Sequence, residues 1–263
     1  MERCCWIEPG EEVPVNRFGK RWDRIFMGSE VCGNFLSSGD FLNAFNAYIW
    51  AGHQVGIIAP YLTPKREISF ITWLENLSNR TEIVVNDVGA FRLVQKSKHI
   101  PIPGRLLMRQ NTDPVIPSFF QSQPDRDVYD GADYVRLKHS KPSQALTVHL
   151  QNSPVFSPEA SALFLADREE ITVMMDQLPQ GLPAEIPRQY RVMLNTDNIL
   201  VTVLPCRSCA DCPQEEMLLG RVRTNIPIYR KRNACYYKLA DVLKGNDNLI
   251  IPPYVVRQIG PLQ

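Results

Sequence analysis

Arg24-Ile25-Phe26-Met27-Gly28, Val55-Gly56-Ile57-Ile58-Ala59 and Glu82-Ile83-Val84-Val85-Asn86 are short apolar runs, and what lies between them decides the fold. Asp40 to Ile49 follows the first, with apolar residues recurring at three and four and Gly52 placed to close a helix. Ile68, Ile71, Leu74 and Leu77 repeat that period before the third run. Ala90, Leu93 and Val94 repeat it again, ahead of the apolar segment Arg105-Leu106-Leu107-Met108. Strands alternating with helices of about 10–15 residues predict βαβ units and a parallel sheet.

Working outward, Ile171 to Asp176 reads as another buried strand, preceded by a helix that starts at Ser157-Pro158-Glu159, with Ser as N-cap and Pro at the first helical position. Tyr190 to Leu194 and Ile199 to Leu204, separated by Thr196-Asp197-Asn198, read as a hairpin that ends at Cys206. Six or seven mostly parallel strands without a glycine-rich phosphate loop suit an α/β barrel, complete or incomplete, better than an open sheet. The expected organisation is an irregular, charged N-terminal arm over residues 1–22 and one barrel-like domain over 23–263. An insertion or long loop is expected at about 111–153, where Pro, Asp and Gln break the rhythm.

The chain has 263 residues, 44% hydrophobic and 22% charged, as in an ordinary globular protein. Its 29 Lys and Arg against 28 Asp and Glu give a net charge of +1, so no global field advertises nucleic acid or an acidic membrane. No stretch approaches the roughly 18–20 apolar residues of a membrane span, and Met1-Glu2-Arg3-Cys4-Cys5 does not open a signal peptide. The expected location is the cytoplasm.

In a reducing compartment the seven cysteines point to metal binding, catalysis or burial rather than disulfides. Cys206, Cys209 and Cys212 form C-x2-C-x2-C, which brings three sulfurs to one point from a single loop. Iron–sulfur sites use this spacing with a fourth, remote thiolate. Structural zinc takes paired C-x2-C units farther apart, so zinc fits less well and incidental free thiols are the third reading. Cys32 follows a predicted strand and would share the strand C-terminal face with Cys206; Cys235 is the alternate fourth ligand. Cys4 and Cys5 read as bystanders near a flexible terminus.

Gly28-Ser29-Glu30-Val31-Cys32, Ala51-Gly52-His53-Gln54-Val55, Val84-Val85-Asn86-Asp87-Val88-Gly89-Ala90 and the segment through Arg105 resemble the collagenase-like peptidases of unassigned family thirty-two. They look most like the family's ubiquinone-biosynthesis accessory branch, the UbiV type. The resemblance covers roughly residues 23–235. It implies a 4Fe-4S cluster on Cys32, Cys206, Cys209 and Cys212, and either oxygen-independent hydroxylation of an aromatic or RNA substrate or an accessory role beside a homologous or pathway protein partner. The three cysteines are packed more tightly here than in the family, and the usual first strand before Arg24 is replaced by the charged arm.

Glu30, Asn86, Asp87, Arg105, Arg109 and Asp176 would share the cysteine face, a mixed set suited to a small polar or aromatic substrate. Each also has a plain reading: Asn-Asp-x-Gly is a common turn and helix cap, and Arg109 a solvated charge. Arg221, Arg223, Arg230, Lys231 and Arg232 could touch RNA or form a solvated basic face. His53, His99, His139 and His149 lack H-E-x-x-H spacing, and no G-x-S-x-G elbow is present, so a peptidase-fold hydrolase or a zinc-binding interaction protein is the alternative.

Overall fold

The computed structural model describes residues 1–8, 10–13, 22–108, 170–177, 190–204, 212–221, 225–244 and 255–260. Eight parallel strands form one sheet, in the order β5-β4-β3-β2-β1-β12-β7-β6. These are β1 (Glu2–Ile7), β2 (Arg24–Gly28), β3 (Val55–Ile58), β4 (Glu82–Val85), β5 (Ile100–Pro103), β6 (Ile171–Asp176), β7 (Tyr190–Asn195) and β12 (Val255–Ile259). Followed around from β1, that order is the chain order, and β12 returns to pair with β1. The sheet is therefore an α/β barrel, nearly closed. Helices α1 (Gly39–Trp50), α2 (Glu67–Asn76) and α3 (Val88–Lys96) connect the early strands as predicted, but α2 buries Phe70, Trp73 and Leu74, whereas Ile68 and Ile71 of its expected apolar period are exposed.

One interior layer takes a side chain from every strand: Cys4, Phe26, Ile58, Val84, Ile102, Met174, Met193 and Ile259. Alternate residues such as Cys5, Ile25, Ile57, Ile83, Val173 and Val192 join a second apolar cluster with Phe45, Phe70 and Phe91 of the helices. Two buried faces explain why these strands read as continuous apolar runs rather than alternating ones.

The proposed arm is corrected by β1, which lies between β12 and β2 with Cys4 opposite both Ile259 and Arg24. Charge disguised it. Glu2 accepts from Arg24 Nε at 2.9 Å and from Arg257 Nε at 2.8 Å, and Arg257 also holds Glu82 at 2.6 Å, so the charges form a network at the N-terminal end of the barrel. Cys4 and Cys5 are accordingly core residues, their thiols pushed up to about 12 by burial first of all.

β5 and β6 lie side by side without a ladder. The N–H groups of Ile100 and Gly104 donate toward β4, to Thr81 O at 2.9 Å and Val85 O at 2.7 Å. Pro101 and Pro103 occupy the alternate positions, so the edge of β5 that faces β6 has no N–H there to donate. Proline thus leaves a seam. Arg105–Met108, read from sequence among the strands, is instead a short helix, α4, that follows β5.

β7 and β8 (Asn198–Val203) do not pair as a hairpin. Both edges of β7 are already occupied, by β6 and β12. Asn195 Oδ1 accepts from Asp197 N at 2.9 Å, which turns the chain out of the barrel. A second, antiparallel sheet follows, ordered β8-β11-β10-β9, with β9 (Met217–Arg221), β10 (Pro227–Lys231) and β11 (Ala234–Lys238), and after it the helical turn α5 (Leu239–Val242). It is inserted between the seventh and eighth barrel strands. The predicted insertion at 111–153 and the helix at Ser157 lie outside the described residues.

Candidate functional site at the barrel mouth

Gly28 ends β2 at φ +131°, a conformation that an L side chain rarely adopts, and a Cβ there would lie 2.2 Å from Ile58 O. This exit turns Ser29 and Glu30 into the strand C-terminal end of the barrel. β5 delivers Arg105 to the same end one residue after Gly104, and β6 delivers its last residue, Asp176.

The three meet. Arg105 Nη2 donates to Glu30 Oε2 at 2.5 Å and Nε to Oε1 at 3.2 Å, while Nη1 donates to Asp176 Oδ1 at 2.6 Å. Nη1 also reaches Asn198 O at 3.1 Å and Asn198 Oδ1 at 2.8 Å. Side-chain exposure is 3% for Arg105, 2% for Glu30 and 1% for Asp176, so the pairs are screened from water. The Arg105 guanidinium carbon lies 5.6 Å from the Trp6 ring centroid, and Trp6 Nε1 donates to Gly28 O at 2.8 Å.

Burial raises the Asp176 carboxyl to about 6, with Arg105 pulling the other way. Burial opposes the charge of Arg105, but Asp176 and Glu30 more than offset it and hold the guanidinium above its ordinary value. The Glu30 charge adds a smaller push in the same direction as burial.

Arg105 follows β5 and Asp176 ends β6, so their ion pair joins the two strands that proline leaves unlaced. Asp176 Oδ2 also accepts from Leu200 N at 3.1 Å, which ties the small sheet to the barrel. The cluster is a clasp across the seam.

Asn86 lies at the same end, its Oδ1 accepting from Leu106 N at 3.3 Å. Asp87 caps α3: Oδ1 accepts from Ala90 N at 2.7 Å and Oδ2 from Leu62 N at 2.8 Å, as the turn-and-cap reading anticipates. Arg109 lies outside the described residues. Sequence reasoning missed Trp6, Asn198 and Glu8; their only signal was a position beside a strand end.

Among the described residues no three metal-ligating side chains converge. Of the predicted ligands, Cys206 and Cys209 lie outside those residues. Cys32 and Cys212 are half-buried, free of disulfides and on loops. Cys235, the alternate, is buried within β11, where burial pushes its thiol up.

A polar chain leads from Cys212 to the Cys32 loop. Pro213 O accepts from Arg232 N at 2.7 Å, Arg232 Nε lies 3.4 Å from Glu8 Oε2, and Glu8 Oε1 accepts from Ser29 Oγ at 3.4 Å. Lys231 reinforces it, at 3.2 Å from Glu8 and 2.5 Å from Glu11. Lys231 and Arg232 are therefore ion-paired rather than a free basic face. Arg230 donates to Arg232 O and Arg221 to Asn225 O; Arg223 lies outside the described residues.

His99 is held at both ring nitrogens, Nδ1 by Thr81 N at 3.2 Å and Nε2 against Leu74 O at 3.0 Å. His53 packs edge-on to Tyr48; His139 and His149 lie outside the described residues. No helix among the described residues is long and apolar enough to cross a membrane. The chain matches no protein-family model, no curated protein and no solved structure.

Proposed function

We propose that this chain is an iron–sulfur protein whose barrel mouth carries a 4Fe-4S cluster on Cys32, Cys206, Cys209 and Cys212. It would act with a homologous partner in oxygen-independent hydroxylation or a related redox step. The observation that carries the reading is the polar path from Pro213 to Ser29, hydrogen-bonded at its two ends and joined in the middle by the Arg232–Glu8 ion pair, which runs from the residue after the triplet's last cysteine to the Cys32 loop. The donor chemistry fits. The two described candidates, Cys32 and Cys212, are half-buried on loops, while Cys4, Cys5 and Cys235 are held inside strands with raised thiol pKa values. Thiolates, not thiols, bind iron.

The bound cluster would supply one-electron chemistry. Around it, Glu30 and Asp176 are occupied by Arg105, so a substrate's polar groups would have to compete with that buried pair or bind above it. The test is iron, zinc and acid-labile sulfide analysis of the full chain purified without oxygen. Iron and sulfide in equal amounts, lost in Cys32→Ala and kept in Cys235→Ala, support the reading. Colourless protein with stoichiometric zinc overturns it in favour of a zinc-binding interaction protein.

A further inference from the structure

β9 is the outer strand of the small sheet: β10 takes one of its edges, and among the described residues no strand takes the other. An open edge presents unpaired backbone N–H and C=O groups, which proteins commonly guard with proline, lysine or a charge along the strand. Met217-Leu218-Leu219-Gly220 offers none of these. Its three large apolar side chains are instead 48%, 57% and 51% exposed.

Leu218 lies opposite Tyr229, Tyr229 opposite Tyr236 and Tyr236 opposite Leu200, so one row of side chains crosses the sheet on a single face. The two tyrosine rings stack with centroids 6.2 Å apart. Leu200 and Tyr236 are buried, Tyr229 is half-buried and Leu218 is exposed, so the row runs out of cover at the free edge. Gly220 adds a second sign. Its φ is not positive, and a Cβ there would meet nothing within 4 Å, so nothing within the chain calls for glycine. Glycine inside a strand often marks the close approach of another backbone.

The ends of the strand carry opposite charges. Glu216 is engaged, by Lys238 Nζ at 2.5 Å and Tyr236 OH at 2.6 Å. Glu215 and Arg221 are exposed, and among the described residues neither has an ionic partner; Arg221 donates to the neutral Asn225, at 3.1 Å to O and 3.4 Å to Oδ1. Each lies the same distance along the chain from Leu218. An antiparallel copy centred on Leu218 therefore sets Glu215 opposite Arg221 at both ends, Met217 opposite Leu219, and Glu216 opposite the small Gly220. The edge is complementary to itself.

We infer that β9 docks the β9 of a second copy of this chain, antiparallel about a two-fold axis at Leu218, which joins the two small sheets into one. This pairing does not depend on what the barrel mouth holds. A single pair of short strands buries less than a standard interface, so the dimer forms and dissociates with concentration.

The test follows the full chain by analytical ultracentrifugation and amide exchange over a wide range of concentrations. Wild type is expected to show a monomer–dimer equilibrium, with β9 amides gaining protection as the dimer forms. Leu218→Lys sets two ammonium groups against each other at the axis and should abolish association. Glu215→Arg and Arg221→Glu should each raise the dimer dissociation constant about tenfold or more, because two attractive pairs become repulsive ones. Mixing those two variants sets opposite charges face to face again and should restore association toward wild type. Circular dichroism identical to wild type checks the fold of each variant. A chain that stays monomeric throughout, or a dimer that none of the three substitutions weakens, overturns the inference. So does a mixture that fails to recover, and so does β9 protection independent of concentration, which would show a segment of the same chain covering the edge.

Discussion

Replacing Arg105 with Met keeps the volume of the stem and removes the single cation between Glu30 and Asp176. Five hydrogen bonds go with it, three to carboxylates and two to Asn198. Breaking a buried ion pair from one side costs about 3–5 kcal/mol, because the partners stay buried and charged. Here two carboxylates are left, so we expect the upper part of that range at pH 8. The loss should shrink to about half at pH 5, where the stranded carboxyls can take up protons at roughly 1.4 kcal/mol per pKa unit. Urea unfolding followed by circular dichroism at both pH values measures this. Amide exchange should also speed up in β5 and β6 before it does in β2 and β3, since the lost contact spans the seam. A loss below about 1 kcal/mol, or one equal at both pH values, would refute the clasp.

Three further outcomes are expected. Asp176 has a folded-state pKa raised to about 6, so its contribution to stability is fully present below about pH 4 and is lost as pH rises through 6; the swing is about 3 kcal/mol. Asp176→Asn should flatten that part of the stability–pH curve and lower stability at pH 7.5, since one amide oxygen cannot accept from both Arg105 and Leu200; an unchanged slope would assign the titration elsewhere. In metal-free protein, mass spectrometry after brief alkylation should find Cys32 and Cys212 modified and Cys4, Cys5 and Cys235 protected until urea unfolds the barrel; equal labelling of Cys4 and Cys32 contradicts the burial argument. Glu8→Gln should cost about 1 kcal/mol and speed proteolysis at the Cys212 loop, because Lys231 and Arg232 lose their shared acceptor; cleavage at the wild-type rate would show that the tether does not hold that loop.

The barrel is legible wherever a strand is flanked by a helix with a clean period. β2, β3 and β4 with α1, α2 and α3 are all visible this way, although α2 buries Phe70 and Trp73 in place of Ile68 and Ile71, and so is β6 from its apolar run. β1 is not, because its six residues carry Glu2 and Arg3, and only the folded barrel reveals that Glu2 is answered by Arg24 and Arg257. β5 is hidden by its own composition: Ile-Pro-Ile-Pro argues against a strand unless one edge needs no donors. The small sheet escaped because its first strand looks like half of a hairpin with β7, and local spacing cannot show that both edges of β7 are taken. At the site, strand-end reasoning placed Glu30, Arg105 and Asp176 on one face. It could not show that they grip one another, since 75 and 71 residues separate Arg105 from its partners.

A hoop laced at seven joints and left open at the eighth has one place where its girth can change without breaking a backbone bond. That place is not uniform along its length. The mouth end is fastened by Arg105 and Asp176, while among the described residues the middle, beside Pro101 and Pro103, is closed by the apolar layer that holds Ile102 and Met174. Added length in the connection between β5 and β6 would therefore break no backbone bond between those two strands, much as a garment can be let out along one stitched edge. Tolerance to inserted residues should be high in that connection and low in the other strand-to-strand links of the barrel.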